Sequence, residues 1–307
     1  MKIKRILFPT DFSTAASKAL DHALVLAHIY NAELVMLHVE VPHGADPHNP
    51  SKEFPELDEL FSFIRQQVAG LVEDDSLPVI KGTVPIREEI RRAISDASEI
   101  LDFCEQEQID LIVMGTHGRT GLGHFVLGST TEKVVHGSRI PVLTIHHGED
   151  LLISNEGRYK RILAPVDFSD ASKESLTTAI DLAKQFGAEL VVAHVFEPVL
   201  TSPAFFADRP STVPVDPDLI SRSQKALHKF AGDILPEGTP FKLRSGHVQR
   251  ELTNLAKLEN IDLIVVANQG WNALERFLLG GTTEKLIRRS PVPVLVKPFL
   301  GEPEEID

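Results

Sequence analysis

The chain has 307 residues, 42% of them hydrophobic, a single cysteine and a formal net charge of -13. That length suits two α/β domains of about 150 residues each better than one. The charge argues against broad phosphate-backbone contact with nucleic acid. The lone Cys104 excludes an intrachain disulfide framework and a multi-cysteine metal site, and no apolar run reaches the roughly 18 residues of a membrane span.

In chain order, MKIKRILFPTDFS comes first. Its apolar run, Ile6 to Phe8, is short and no small-residue cleavage site follows. It reads as a strand starting near residue 4 and not as a secretion signal, which makes the cytoplasm the expected location. Ser13 is placed to cap a helix over 14–29, on which Ala19, Leu20, Ala23, Leu24 and Ala27 form one apolar stripe. A second strand, AELVMLHV, spans 32–39. Residues 41–55 form a long proline-bearing connection, readable as a lid or as a variable surface excursion. REEIRRAI at 87–94 supplies a third strand element, and Ser95 caps a helix over 97–107. IDLIVM then forms a fourth strand, and GTHGRTGLGHFVLGSTTEK leads into a helix over 130–138. The half closes on IPVLTI at 140–145.

The order then repeats. Glu99 to Ile145 and Glu251 to Lys297 align without a gap at an offset of 152, through IDLIV, LG-x-TTEK and PVL. RILFPTDFS at Arg5 and RILAPVDFS at Arg161 match at an offset of 156, as do AELVMLHV and AELVVAHV (188–195), and FKLRSG at 241–246 is the third-strand counterpart. Duplication gives a domain at 1–146, a polar linker at 147–159 and a domain at 160–298, with a second long loop at 197–217. The short, β-branched, unalternating strands are those of a parallel sheet buried on both faces. With right-handed helical crossovers, each half is a doubly wound α/β domain with helices on both faces.

Such a sheet binds ligands past the carboxyl ends of its strands, where strand order reverses. In the first half those positions hold Pro9, Thr10 and Asp11 after the first strand, Val39 after the second and the Gly115-x2-Gly118-x9-Gly128-Ser129 run after the fourth. Glycines let backbone approach a ligand closely, and successive N–H groups at a helix N-terminus favour phosphate. Ser129 fits two roles, since Ser129-x-x-Glu132 is also a capping box.

The G-x2-G-x9-G-[ST] run together with PTDFS resembles the universal stress protein family, in its ATP-binding branch, over nearly the whole chain and twice. The resemblance implies five-stranded sheets of order 3-2-1-4-5, ATP as ligand with Mg2+ as a candidate companion, and pairing through the last strand. The halves would then form an internal pseudo-dimer through 140–145 and 292–297, with a homodimer also open. By position, Asp11 and the Val39 backbone would face adenine, Gly115 would line the ribose, and Gly118, Arg119, Gly128, Ser129 and Thr130 would surround the phosphates. Pro9, Thr10, Met114, Thr116, His117 and Thr120 would complete the nucleotide site. The second half departs from the pattern. It keeps Asp167, Val195, Gly270, Gly280 and Thr282, but Ala267 replaces the first glycine, Trp271 stands for Arg119 and Gly281 for Ser129. If the first glycine must be left-handed, alanine there costs roughly 1–2 kcal/mol, so this half reads as a weakened or lost site.

Other features point elsewhere less strongly. His38 and His194 end the second strands at equivalent places, which indicates packing and not a metal; His43 and His48 lie in the long loop, and adjacent His146 and His147 would point apart on a strand. Cys104 reads as a small buried apolar residue. There is no Walker loop, dinucleotide fingerprint or nucleophile elbow. The leading expectation is an ATP-binding regulator of the stress response acting through a protein partner. A slow Mg-dependent ATP hydrolase and a nucleotide-independent scaffold are the alternatives.

Overall fold

The computed structural model describes residues 1–41, 62, 65–66, 84–116, 127–146, 157–197, 217–269 and 279–301. The chain divides into two compact units, Lys2–Arg158 and Tyr159–Asp307. Tyr159 is buried at the start of the second, edge-on to Phe186 at 5.4 Å.

In the first unit β1 (Arg5–Pro9), β2 (Glu33–Glu40), β3 (Ile86–Arg92), β4 (Leu111–Gly115) and β5 (Val142–Ile145) form a parallel sheet. β1 pairs with β2 and β4, β2 with β3, and β4 with β5, which is the order 3-2-1-4-5. The connecting helices are α1 (Thr14–Tyr30), α2 (Asp96–Gln106) and α3 (Ser129–Gly137). Helices cover both faces. Arg87 and Arg91 of β3 lie 6.0 and 5.4 Å from the ring centroid of Phe103 on α2. Glu88 points to the opposite face, because side chains alternate along a strand, and there it takes a bond from Nε of the helical Arg65 at 2.6 Å.

The second unit repeats the design with β6 (Arg161–Pro165), α4 (Asp170–Phe186), β7 (Glu189–Phe196), α5 (Pro217–Ala231), β8 (Phe241–Ser245), α6 (Val248–Leu258), β9 (Leu263–Ala267), α7 (Gly281–Arg289) and β10 (Val294–Lys297). β6 pairs with β7 and β9, β7 with β8, and β9 with β10, all parallel. Ser13 and Ser95 cap their helices as expected, accepting from Ala16 N at 3.2 Å and Ser98 N at 3.4 Å. The apolar stripe of α1 is buried throughout. Left-handed residues recur at matching places in the two halves: Phe12 and Phe168, Asn31 and Gly187, Gln108 and Asn260.

The amino end of each sheet is closed by one aspartate. Asp110 Oδ2 accepts from the backbone N–H of Lys4 (2.7 Å) and Arg5 (3.0 Å), and Asp262 accepts from those of Lys160 (2.6 Å) and Arg161 (3.1 Å). This explains the aspartate in the repeated IDLIV, and it lies at the end of the sheet opposite the ligand positions. Cys104 is buried, and burial pushes its thiol up to about 12, so it packs as a small apolar group.

Two neighbours on α1 titrate in opposite senses. Burial holds His22 down to about 3 and pushes Asp21 up to about 6. Below pH 6.5 the unfolded chain takes up a proton at His22 that the native state refuses, so stability falls with pH at up to about 1.4 kcal/mol per unit. Between pH 6 and 3.8 the native state instead takes the Asp21 proton first, which offsets that fall. Asp21→Asn is therefore expected to lose stability relative to wild type as pH is lowered from 6 to 4. Denaturant titration at stepped pH checks this, and parallel profiles for the two proteins would contradict it.

Candidate ligand site

At the carboxyl end of the first sheet, strand order reverses between β1 and β4, and each ligand position sits on a turn with its own hydrogen bonds. After β1, Thr10 N donates to Leu37 O at 2.9 Å, the last bond between these strands. Thr10 Oγ1 accepts from Phe12 N at 3.0 Å, and Asp11 Oδ1 accepts from Ser13 N at 3.0 Å. These two side-chain turns bend the chain sharply enough that Phe12 sits at φ 62, a conformation costly for a bulky residue. His38 Nδ1 lies 2.8 Å from Thr10 O. A carbonyl can only accept, so Nδ1 carries the proton and donates. The His38 ring packs on Phe12, centroids 4.8 Å apart.

β2 extends one residue beyond the expected 39, so Val39 lies within the strand and not after it. Backbone groups of successive strand residues point to alternate sides. Glu33 N reaches Lys4 O on the β1 side, whereas Leu34 N reaches Pro85 O on the β3 side. Val39 therefore turns its N–H and C=O toward β1, past the last bond β1 supplies.

The loop after β4 is closed at its base. Thr116 N donates to Ile145 O (2.9 Å), Gly128 N donates to Thr116 O (2.7 Å), and Thr131 Oγ1 donates to Gly115 O (2.8 Å). The first intrahelical bond of α3 is Glu132 N to Gly128 O at 2.9 Å, so the N–H groups of Ser129, Thr130 and Thr131 precede the helical ladder. Ser129 is exposed. His117, Gly118, Arg119 and Thr120 lie outside the described residues, as do Gly270 and Trp271 of the second half and His43, His48 and His147.

Two expectations are corrected. The capping box at Ser129 does not form: Gly128 is the N-cap, at φ -62 and ψ 137 with no side-chain cap bond. Ser129 already belongs to the helix, because the Gly128–Thr116 bond draws the chain into α3 one residue early. Gly115 is not left-handed either; it is the extended last residue of β4, and Ala267 is its extended counterpart in β9. Alanine there is free of the backbone strain expected of it. Thr130 Oγ1 donates to Asp96 Oδ2 on α2.

The second half keeps the same scaffold. Gly280 N to Asn268 O is 2.8 Å, Asn268 N to Lys297 O is 3.0 Å and Thr283 Oγ1 to Ala267 O is 2.8 Å. Asp167 accepts from Ser169 N at 3.0 Å, Phe168 sits at φ 65, and His194 Nδ1 lies 2.8 Å from Val166 O. Val195 turns its backbone toward β6 as Val39 does toward β1, since Glu189 N bonds Lys160 O on that side. The differences are chemical. Val166 replaces the hydroxyl of Thr10, Gly281 replaces Ser129, and Val248 stands where Asp96 does in the sequence alignment. Asn268 spends its Oδ1 on Phe299 N at 2.8 Å. Residue types alone could have located the His–Phe contact, since H and DFS recur at the same spacing in both halves, but nothing in the sequence announces a left-handed phenylalanine.

The universal stress protein family model matches residues 2–146 and again 158–298. A universal stress protein of Mycolicibacterium smegmatis is 26% identical over 298 residues, covering 95% of this chain and 96% of that one. Universal stress protein MJ0577 of Methanocaldococcus jannaschii is 32% identical over 154 residues, covering 46% of this chain and 94% of its own length. The crystal structure of a universal stress protein from Archaeoglobus fulgidus superposes with a TM-score of 0.61 at 23% identity, over 95% of each chain.

Proposed function

The chain belongs to the universal stress protein family, in two copies, and from that premise we propose that its first domain binds ATP and that the bound state regulates a protein partner in the stress response. The observation that carries this reading is the Thr116–Gly128 closure. It sets three unladdered N–H groups of α3 at the carboxyl end of the sheet, the end at which β1 gives way to the Asp11 turn and Val39 turns its backbone outward. A helix N-terminus of that kind favours a phosphate by about 0.3–1 kcal/mol from its dipole alone, before hydrogen bonds are counted. The carboxyl end of β2, at Val39, offers an N–H and C=O pair that a planar base can match. Among the described residues no three His, Cys, Asp or Glu side chains gather as a metal cluster. Among the described residues no helix is long and apolar enough to cross a membrane.

In the second domain, side chains at positions that would meet a charged ligand have changed, while the described bonds at the base of the loop are kept. Loss of Thr10, Arg119 and Ser129 equivalents removes two hydroxyls and a cation. Calorimetric titration with MgATP is therefore expected to give one site per chain, in residues 1–146. Two equal sites, or none, would overturn the assignment. Phosphate release measured on the same sample separates a binder, which shows none, from a slow hydrolase.

A further inference from the structure

We propose that His38 is a positioning residue for the base of the nucleotide: a strut that fixes the distance between the two walls of the base pocket. The inference rests on the nucleotide reading above. One wall is the turn after β1, carrying Thr10 and Asp11; the other is the end of β2, carrying the outward backbone of Val39. His38 is the neighbour of Val39 in β2, and its Nδ1–H reaches across to the Thr10 carbonyl at 2.8 Å. Thr10 N is already bonded back to β2 through Leu37 O. The backbone of Thr10 is thereby held to β2 through both its N–H and its C=O, one by the β2 backbone and one by the imidazole.

The turn needs that restraint. Phe12, at φ 62, is a bulky residue in a region that side chains avoid, and strained backbone of this kind persists only where its surroundings over-determine it. Here Thr10 Oγ1 fixes Phe12 N, Asp11 fixes Ser13 N, and the His38 ring packs on the Phe12 ring at 4.8 Å. Without the imidazole the Thr10 carbonyl loses this donor and the Phe12 ring loses this contact, and the turn that carries Asp11 is held less tightly against Val39.

The second half supplies an internal control. His194 makes the same contacts, 2.8 Å to Val166 O and 4.7 Å to the ring of Phe168 at φ 65. Equal local damage can thus be inflicted at two places, only one of which holds nucleotide in this reading.

The test uses the full chain and two probes, MgATP and inorganic tripolyphosphate, which has phosphates and no base. His38→Phe keeps a ring and loses the donor. It is expected to weaken MgATP by about five- to tenfold, the value of one hydrogen bond, and to leave tripolyphosphate binding unchanged. His38→Asn, whose amide N–H lies where Nδ1–H did, should restore MgATP affinity. His194→Phe should lower thermal stability as His38→Phe does and leave MgATP binding at the wild-type value. If His38→Phe fails to fold, the Asn variant and the His194 control still decide: MgATP loss in His38→Asn, or in His194→Phe, overturns the strut. Undiminished MgATP binding by His38→Phe overturns it too, as does an equal loss for both probes, which would mark general damage. Absence of MgATP binding in the wild-type chain overturns the nucleotide reading itself, and the strut with it.

Discussion

Ser129→Asp is expected to abolish ATP binding while leaving the chain as stable as wild type or slightly more so. Ser129 is an exposed first-turn residue of α3 that caps nothing, so its replacement breaks no native bond. A carboxylate there is favourable to the helix dipole by about 0.3–1 kcal/mol. The same carboxylate would occupy the place of a phosphate. Two like charges about 4 Å apart near a protein surface repel by about 4 kcal/mol, which corresponds to a loss of more than about 100-fold in affinity. Stability and binding therefore move in opposite directions, a combination that unfolding cannot mimic. Gly281→Asp is the matched control. A Cβ at Gly281 meets no atom within 4 Å, so that variant should gain the same dipole stabilisation in α7 with MgATP affinity unaltered. Calorimetry and thermal melting on the two variants check both halves of the expectation; retained MgATP affinity in Ser129→Asp would remove α3 from the site.

The second large effect lies at the far end of the second sheet. Asp262→Ala leaves the N–H groups of Lys160 and Arg161 without their acceptor. Asp262 is 8% exposed, and hydrogen bonds to a charged group are worth about 1.5–3 kcal/mol each. Allowing for water reaching the Lys160 end, a cost of about 2–4 kcal/mol is expected. In a domain of this size that lowers the melting temperature of the second unit by roughly 10 °C. MgATP titration should be unaffected, because the clamp closes the amino ends of β6 and β9, not the carboxyl end of the first sheet. Asp110→Ala, at a more open position, should cost less. A melt unchanged in Asp262→Ala would mean that water satisfies both N–H groups.

Much of the architecture is legible in the sequence because it depends on patterns that survive averaging. The apolar strands, the serine caps of α1 and α2 and the duplication all follow from residue type and period. The details of the site do not, because they depend on which residue a turn assigns to which role. Ser129-x-x-Glu132 satisfies the capping-box pattern, yet the Gly128–Thr116 bond starts the helix one residue earlier. Gly115 looks like a residue chosen for left-handed backbone, yet it ends a strand, and Ala267 fills the same conformation. Conversely, Phe12 and Phe168 are left-handed although their residue type argues against it. Their conformation is imposed by four neighbours, Thr10 or Val166, Asp11 or Asp167, the capping serine and a histidine 26 residues on, and no local window contains them all.

The pairing of β1 also sets a schedule for synthesis. β1 is the central strand, and its partners lie at very different distances along the chain: β2 is within the next thirty residues, whereas Ile6 and Leu7 wait for Leu111 and Ile112. At ribosomal rates of roughly 5–20 residues per second, a nascent chain holds the β4 side of β1 unpaired for on the order of ten seconds. The second half repeats the wait, since Ile162 and Leu163 need Leu263 and Ile264. Each half contains every strand its own β1 or β6 requires, so the first can finish folding while the second is still being made. During each wait, RILF and RILA are open strand edges, and those two apolar segments are where a nascent chain is most exposed to mispairing with another copy of itself.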